Sequence, residues 1–224
     1  MFDHTFFGLR VVNSLRTMLA SGLISPDVKL VPGRAVLWAS LIEMRLTDVS
    51  GFDLRAMNSY RWHPSAERMD GLRQKHRELS SATRCCDIDL SAFLRKNSAT
   101  SYDVNVPVTA NGMWNAVAVW YELDLGNGLL LSSAECSSIR KAIFYIDEQR
   151  IPATSSVDIS IVLDGGQLYV KPANNPRRPR HARVPTWQFD MLNDDVRNMA
   201  YEQAITRAVE AHKAAQTKQV RMNA

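Results

Sequence analysis

The sequence predicts a mainly β protein, either a sandwich or a barrel, with an α-helix at each end. Three observations favour this fold class. Stretches rich in aromatic and aliphatic residues run through the middle of the chain. Turn signals separate these stretches. Both ends instead carry apolar residues at the spacing of one helix face. The 224 residues suffice for one sizeable domain or two small ones.

Residues 1–25 are predicted to form a helical lead-in. Gly22 is suited to end its helix, because glycine accepts the left-handed conformation found just past a helix end. The apolar residues that fall on one face of this helix are Val11, Val12, Leu15, Met18 and Leu19.

Residues 26–173 are predicted to be the β region. Long strands are expected over 36–46 and 114–125. A third alternates between 157 and 163, and Asp164-Gly165-Gly166 then supplies the positive φ of a tight hairpin turn. Residues 55–83 are polar and lack a period of two, so they are predicted to leave the sheet.

Residues 174–185 are predicted to be a basic linker. Five basic residues, three prolines and no acid lie between Lys171 and Arg183, and without these five charges the net charge of +4 would be −1. The alternative is a contact with nucleic acid or an acidic protein. Because no aromatic residues are interleaved, nucleic acid is not expected as a partner.

Residues 186–224 are predicted to be helical with a frayed end beyond Ala211. Asn193 or Asp194 can cap this helix, and acids suit the positive end of its dipole. A stripe of mostly small residues is expected to pack closely on another surface; it consists of Val196, Met199, Ala200, Ala204 and Ala208.

Several function classes find no support in the residues. The chain has no phosphate-binding glycine loop, no dinucleotide fingerprint and no nucleophile elbow. Its five histidines are scattered, and no Cys or His pair has metal-ligand spacing, so no metal is expected. No apolar run is long enough for a membrane span, so no membrane partner is expected. Three cysteines, an odd number, indicate reduced thiols and a cytoplasmic protein.

Five stretches occur in the order seen in protein arginine methyltransferases of the tandem-module type and their bacterial relatives. They are MFDHTFFG, LVPGRAVLWASLIE, VSGFDL, AVAVWYELDL and RKAIFYID. Residues 1–168 resemble the C-terminal half of that family, which implies a β-barrel that helps to hold protein substrates with arginine side chains. The resemblance also implies an inserted arm at about 55–83 that mediates dimerisation. Its expected apolar anchors are Trp62, Met69 and Leu72, and packing on their own barrel is an equal alternative.

The segment WQFDMLNDDVRNMAYEQAI resembles the start of the family's methyltransferase domain, where M-L-x-D-x-x-R opens a helix. The resemblance implies two cofactor-binding positions for S-adenosyl-L-methionine. Arg197 would pair with the methionyl carboxylate, as suits a guanidinium, and Met191 would border the reacting centre.

Three departures from the family pattern predict a catalytically incomplete chain. Of the two glutamates that grip the substrate guanidinium, the first would precede Met1 and the second falls on Leu9, followed by Arg10 in place of glycine. The family's threonine-histidine-tryptophan loop reads Ser137-Ser138-Ile139, so Ser138 stands at the histidine. No glycine follows Val209, where a cofactor-binding turn is due.

Three hypotheses therefore stand. The chain is a substrate-binding and dimerisation barrel that does not bind the cofactor or methylate by itself; or it is part of an active enzyme completed by a partner methyltransferase domain; or it is an unrelated β-rich interaction module. Any homodimer is expected to be weak or to use a surface other than the arm.

Overall fold

The computed structural model describes residues 2–8, 11–45, 48–49, 51–60, 66–69, 76–96, 98–136, 139–172 and 186–222. Its strands β1 to β14 are, in chain order, Phe2–Asp3, Phe6–Phe7, Arg34–Glu43, Asp48–Val49, Phe52–Asp53, Glu67–Arg68, Arg77–Glu78, Thr83–Asp89, Thr100–Pro107, Gly112–Asp124, Leu130–Ser132, Ala142–Ile151, Ser156–Asp164 and Gln167–Pro172. Helices α1 to α4 are Val11–Ala20, Leu90–Arg95, Thr186–Leu192 and Asp195–Met222, and a 3₁₀-helix covers Arg55–Tyr60.

The chain divides into two compact units. The barrel unit consists of residues 1–45 and 57–183, and the helical unit of residues 46–56 and 184–224. The barrel unit contains a five-stranded sheet in the order β1-β2-β14-β13-β9. Its second sheet follows the path β6-β12-β10-β3-β7, with β11 paired to β10 and β8 to β3. This second sheet curls into half a barrel, so the predicted mainly β, barrel-type fold is confirmed.

One hydrophobic core is shared by the two sheets of the barrel unit. Alternate residues of the central strands point into it, as the period of two requires. Leu37 and Leu41 enter it from β3, Tyr121 from β10 and Ile161 from β13, and all four are almost fully buried. Every one of these strands pairs antiparallel with its neighbours.

The hairpin of β13 and β14 has the predicted turn. Gly165 and Gly166 have φ angles of 56° and 88°, which place both central residues in the left-handed region. A Cβ atom at Gly166 would lie 2.6 Å from Cγ2 of Val12. Helix α1 therefore packs closely on this turn through its fully buried Val12.

Helix α1 begins and ends close to the prediction. It stops at Ala20, and Gly22 follows with a φ of 71°. Val12 is buried, whereas Met18 is 38% exposed. The buried face is therefore narrower than the five apolar residues suggested.

Parts of the segment 55–83 pair with the half-barrel instead of leaving it. Strand β6 pairs with β12, strand β7 pairs with β3, and Met69 is buried against the outer face of the sheet. Met69 thus packs on its own barrel, which was the alternative to its serving as an anchor of the dimerisation arm. Trp62 and Leu72 lie outside the described residues, and the arm itself stays a prediction.

The helical unit contains α3, α4 and the paired strands β4 and β5. The Asp194 carboxylate accepts a hydrogen bond from the backbone N–H of Arg197 at 3.0 Å, so Asp194 is the cap. Helix α4 continues to Met222, past the point where fraying was predicted, because alanine, lysine, glutamine and arginine are strong helix formers. The predicted stripe is not buried: Val196 is 77% exposed and Met199 55%.

Candidate functional site

A short hairpin of β1 and β2 lies where the sequence resemblance predicts the substrate-gripping loop. Phe2 pairs with Phe7 and Asp3 with Phe6. The Asp3 carboxylate accepts hydrogen bonds from the backbone N–H of Thr5 at 2.7 Å and from its hydroxyl at 2.6 Å. A Cβ atom at Gly8 would lie 1.8 Å from Oδ2 of Asp3. The Asp3 side chain thus closes the hairpin internally, and a larger residue at position 8 would have to displace it from Thr5.

Tyr121 fastens this hairpin to the half-barrel. Its hydroxyl donates a hydrogen bond of 2.7 Å to the backbone oxygen of Asp3. The rings of Phe2 and Phe6 lie 5.9 and 5.1 Å from the Tyr121 ring. Burial raises the pKa of Tyr121. The phenol is therefore a neutral donor at any physiological pH.

Helix α2 supports the hairpin from another side. The rings of Phe7 and Phe93 are stacked, with centroids 5.5 Å apart and planes 1° from parallel. The Arg16 guanidinium of α1 in turn donates to the backbone oxygens of Leu94 at 3.1 Å and Phe93 at 3.3 Å, and also to that of Lys96. Arg16 thereby satisfies the carbonyls at the end of α2, which a short helix leaves without partners.

His4 forms the tip of the hairpin. Burial lowers the pKa of His4 below its ordinary value, and the Arg68 charge acts in the same direction. The Asp3 carboxylate and a hydrogen bond with the Ala66 backbone act in the opposite direction and are outweighed. A neutral imidazole is therefore the favoured state at neutral pH, so His4 places no positive charge at the tip of the hairpin.

Leu9, at the position of the family's second glutamate, lies outside the described residues, as does Arg10. The structure describes the residues on both sides: Gly8 ends the hairpin, and Val11 begins α1. Asp3 is the only acidic residue among the first ten. Since its carboxylate is bonded to Thr5, the hairpin offers a substrate guanidinium no carboxylate pair.

The second sequence-predicted position, Ser138, is also outside the described residues. The loop leading out of it is constrained: Arg140 has a φ of 58°, and its N–H donates to the backbone oxygen of Cys136 at 3.1 Å. The ammonium of Lys141 lies 4.1 Å from the centre of the Trp120 ring, a cation–π contact. A cation therefore stands at the start of β12, close to where the family has its histidine.

The two positions expected to border a cofactor, Arg197 and Met191, are brought together in the helical unit. Arg197 Nη1 donates to the backbone oxygen of Met191 at 3.2 Å, and its guanidinium lies 4.9 Å from the Tyr201 ring centre. The Asn198 side chain donates to the backbone oxygen of Leu192 at 2.8 Å. Arg197 and Asn198 therefore cap the end of α3 from the start of α4.

The residues of this turn do not make a complete site for S-adenosyl-L-methionine. They provide one cation, Arg197, whose described contact uses one of its five N–H groups. After this turn the described chain is a continuous helix to Met222, and the sequence has no glycine beyond Gly166. Among the described residues that follow this turn there is thus no strand and no glycine turn that would cradle the rest of such a ligand.

The described residues contain neither a metal-binding cluster nor a membrane-spanning helix. None of their His, Cys, Asp and Glu side chains gather in threes at a place suited to a metal ion. No helix within the described ranges combines the length and apolarity that crossing a membrane requires.

This chain is similar to known proteins in sequence and in fold. No protein-family profile matches the chain. An arginine N(omega)-methyltransferase of Streptomyces achromogenes subsp. streptozoticus is 32% identical over 120 residues, which make up 50% of this chain and 32% of that protein. In the Trypanosoma brucei PRMT1 enzyme–prozyme heterotetrameric complex with AdoHcy, one chain matches with a TM-score of 0.50 and 16% identity, over 75% of this chain and 59% of that one. The chain thus spans about a third of the length of its curated relative.

The half-barrel and its hairpin define the class: a mainly β, barrel-type fold shared with a methyltransferase complex. Within that class the identity to the Streptomyces enzyme is the more specific signal. The chain is similar to an arginine methyltransferase in sequence and to a PRMT1 complex in fold, over part of each protein, which agrees with the resemblance predicted from the five sequence stretches.

The residues that hold the hairpin in place were not among the sequence-predicted ones. Tyr121 lies 118 positions from Asp3, and Arg16 lies 78 positions from Leu94. Within AVAVWYELDL the tyrosine reads as an ordinary inward strand residue. No local pattern indicates either contact.

Proposed function

We propose that this chain is a substrate-binding and dimerisation barrel of the arginine methyltransferase type, catalytically incomplete without an S-adenosyl-L-methionine-binding domain. In this role it would shape a surface beside an arginine side chain, while the methyl transfer itself depends on residues that another domain supplies.

The chemistry of the hairpin carries this proposal. Binding a guanidinium in a productive orientation takes charge-assisted, bidentate hydrogen bonds from carboxylates. The hairpin has Asp3, which is bonded to Thr5, and it has leucine at position 9 where the family has glutamate. A leucine accepts no hydrogen bond, and the adjacent Arg10 would repel a second guanidinium.

The turn between α3 and α4 supports the second part of the proposal. Arg197 alone could supply one charge-assisted contact to a carboxylate, worth about 1.5–3 kcal/mol. Association costs at least about 4 kcal/mol in lost translational and rotational freedom. We therefore expect no measurable binding of S-adenosyl-L-methionine by the 224-residue chain, and we regard Met191 and Arg197 as remnants of a cofactor site.

A second candidate function is an active enzyme completed by a partner chain. The observation in its favour is that Arg197 and Met191 are held together by a hydrogen bond, so one edge of a cofactor site is preformed. The name of the structural neighbour, an enzyme–prozyme heterotetramer, supports the idea that such barrels work in complexes of unlike chains.

The partners in this proposal are proteins with arginine side chains, a partner methyltransferase domain, and a weakly bound second copy. The Streptomyces relative is named as an arginine methyltransferase, so free arginine is the alternative substrate. Action in the cytoplasm is also part of the proposal, supported by three cysteines that form no disulfide.

A methyl-transfer assay tests these alternatives. The chain would be incubated with radiolabelled S-adenosyl-L-methionine and either an arginine-rich peptide or free arginine, alone and with a separately prepared methyltransferase domain of a relative. We expect no transfer in any mixture, and no heat of cofactor binding by calorimetry. Transfer by the chain alone would overturn the proposal, and transfer only in the mixture would establish the partner-completed enzyme.

An Arg197→Lys variant is the matched control for the mixture. Lysine keeps the positive charge but cannot form the planar, bidentate contact. If the mixture is active through this arginine, the variant loses most of that activity, whereas activity contributed wholly by the added domain is unchanged.

A further inference from the structure

The middle of α4 presents large apolar side chains to solvent. Tyr201 is 57% exposed, Ile205 61% and Val209 46%. Since successive residues of an α-helix are about 100° apart, Tyr201 and Val209 lie about 40° to either side of Ile205. The three therefore form one apolar ridge, which we call the α4 ridge. Leaving such a ridge in water forfeits the hydrophobic free energy that covering it would give.

The two flanks of the α4 ridge differ in a way that suits another helix. Ala204, Ala208 and Ala211 lie along one flank, where small side chains allow two helix backbones to approach closely. On the other flank lie an acid, Glu202, and a base, Lys213, about 60° and 80° from Ile205. They are three turns of helix apart and of opposite sign.

Charge is also divided between the two halves of the helix. Residues 194–205 carry three acids and one base, for a net charge of −2, and residues 206–222 carry four bases and one acid, for +3. Side by side in parallel, two copies of α4 would place like charges together. In the antiparallel arrangement each acidic half faces the basic half of the other copy.

We propose that α4 pairs antiparallel with α4 of a second copy of this chain, about a two-fold axis that passes between Thr206 and Val209. In this register Glu202 faces Lys213 of the second copy, and the two-fold axis repeats the pair. Ile205 packs against Ala208 and Val209 of the second copy, and the alanine flanks of the two helices face each other.

The pairing is weak by the size of its surface. Helix α4 has 28 residues and is about 42 Å long. A single helix pair with alanines along one flank buries less than the roughly 1,600 Å² of a standard stable interface. We expect a dissociation constant in the micromolar range. This surface belongs to α4, so a weak homodimer formed through it does not require the arm predicted at 55–83.

Sedimentation equilibrium of the 224-residue chain tests the proposal. The unmodified chain should form a dimer with a dissociation constant in the micromolar range, and Ile205→Lys should raise that constant at least about 10-fold, as for a central apolar contact. Gln203→Lys introduces the same side chain about 160° from Ile205, on the far side of the helix, and should change the constant less than about twofold. Far-UV circular dichroism should show equal helix content in both variants.

A charge exchange tests the antiparallel register. Glu202→Lys should weaken the dimer about threefold, and adding Lys213→Glu in the same chain should restore it. The proposal is overturned if the chain is monomeric up to about 100 µM, if Ile205→Lys and Gln203→Lys have equal effects, or if the exchange restores nothing. A dimer that survives Ile205→Lys but is lost on deleting residues 61–75 would place the interface on the predicted arm instead.

Discussion

Replacing Arg16 by methionine should destabilise the barrel unit through the end of helix α2. The guanidinium donates to the backbone oxygens of Phe93, Leu94 and Lys96, and it lies 5.6 Å from the Phe93 ring centre. Methionine preserves much of the apolar stem but none of the donors. Helix α2 has six residues, so its last carbonyls are a large share of its polar groups.

The size of the loss can be worked from these contacts. Two of the three hydrogen bonds are partly buried and involve a charged donor. Because water still reaches and screens the guanidinium, we assign each bond about 1–1.5 kcal/mol net, below the usual range for a charged donor. A cation near a helix C-terminus adds roughly 0.3–1 kcal/mol, and the ring contact about 0.5 kcal/mol where water screens it. Because the Phe93 oxygen also accepts a hydrogen bond from the Lys96 N–H, the variant keeps part of the stabilisation at that carbonyl. We expect a loss of about 2–3 kcal/mol in the free energy of unfolding.

Urea unfolding followed by circular dichroism measures this change. Arg95→Met is the matched control, because Arg95 of the same helix makes one exposed contact, to the backbone oxygen of Pro26. That variant should lose less than about 1 kcal/mol. Arg16→Lys should lie between the two, since lysine keeps the charge but not the fork of donors. Equal losses for Arg16→Met and Arg95→Met would refute the assignment of Arg16 as the residue that caps α2.

Three other changes have defined outcomes. Leu9→Glu should lower the melting temperature, with a loss of roughly 1.5–3 kcal/mol in the free energy of unfolding, and it should not restore methylation. Leu9→Met should change neither the melting temperature nor the methylation activity. Methylation by Leu9→Glu in the presence of a separate cofactor domain would contradict this prediction. Burial raises the pKa of Cys85 and Cys86 to about 12, so at pH 8 iodoacetamide should alkylate at most one of the three thiols of the native chain, and all three after unfolding. Because the pKa of His4 is lowered from 6.5, the unfolded chain binds more protons just below that pH, so the free energy of unfolding should fall from pH 7 to pH 5 less steeply in His4→Gln than in the unmodified chain.

Features set by neighbouring residues could be predicted from the sequence. The turn at Gly165-Gly166, the left-handed Gly22 and the cap at Asp194 each depend on the chemistry of a few adjacent residues. The length of α4 could not be predicted. The polarity of its last residues suggested fraying, whereas their intrinsic helix propensity favours a helix to Met222. The exposure of Val196 and Met199 could not be predicted either. An apolar stripe shows that a helix could pack against another element, but it does not show that such an element is present.

The candidate site could be proposed from the sequence as a set of positions, which stay predictions, but its geometry could not be predicted. The resemblance indicated Leu9, Ser138, Met191 and Arg197, of which the last two lie within the described residues and are in contact. What fixes the hairpin is long-range: register brings Tyr121 beneath Asp3 from 118 positions away. Such pairings depend on which strands meet, and short-range periodicity carries no information about that.

The hydrogen bond from Arg197 to Met191 would couple the binding of any anion at Arg197 to the folding of the interhelical turn. An anion that takes up the whole guanidinium competes with the last carbonyls of α3, so its binding would be opposed by the free energy of that cap. An anion that uses the other N–H groups leaves the cap in place, and by thermodynamic linkage it would stabilise the turn as much as the turn favours the anion. A substitution such as Asn198→Ala, which removes the neighbouring contact to Leu192, would therefore change the affinity of a site that it never touches.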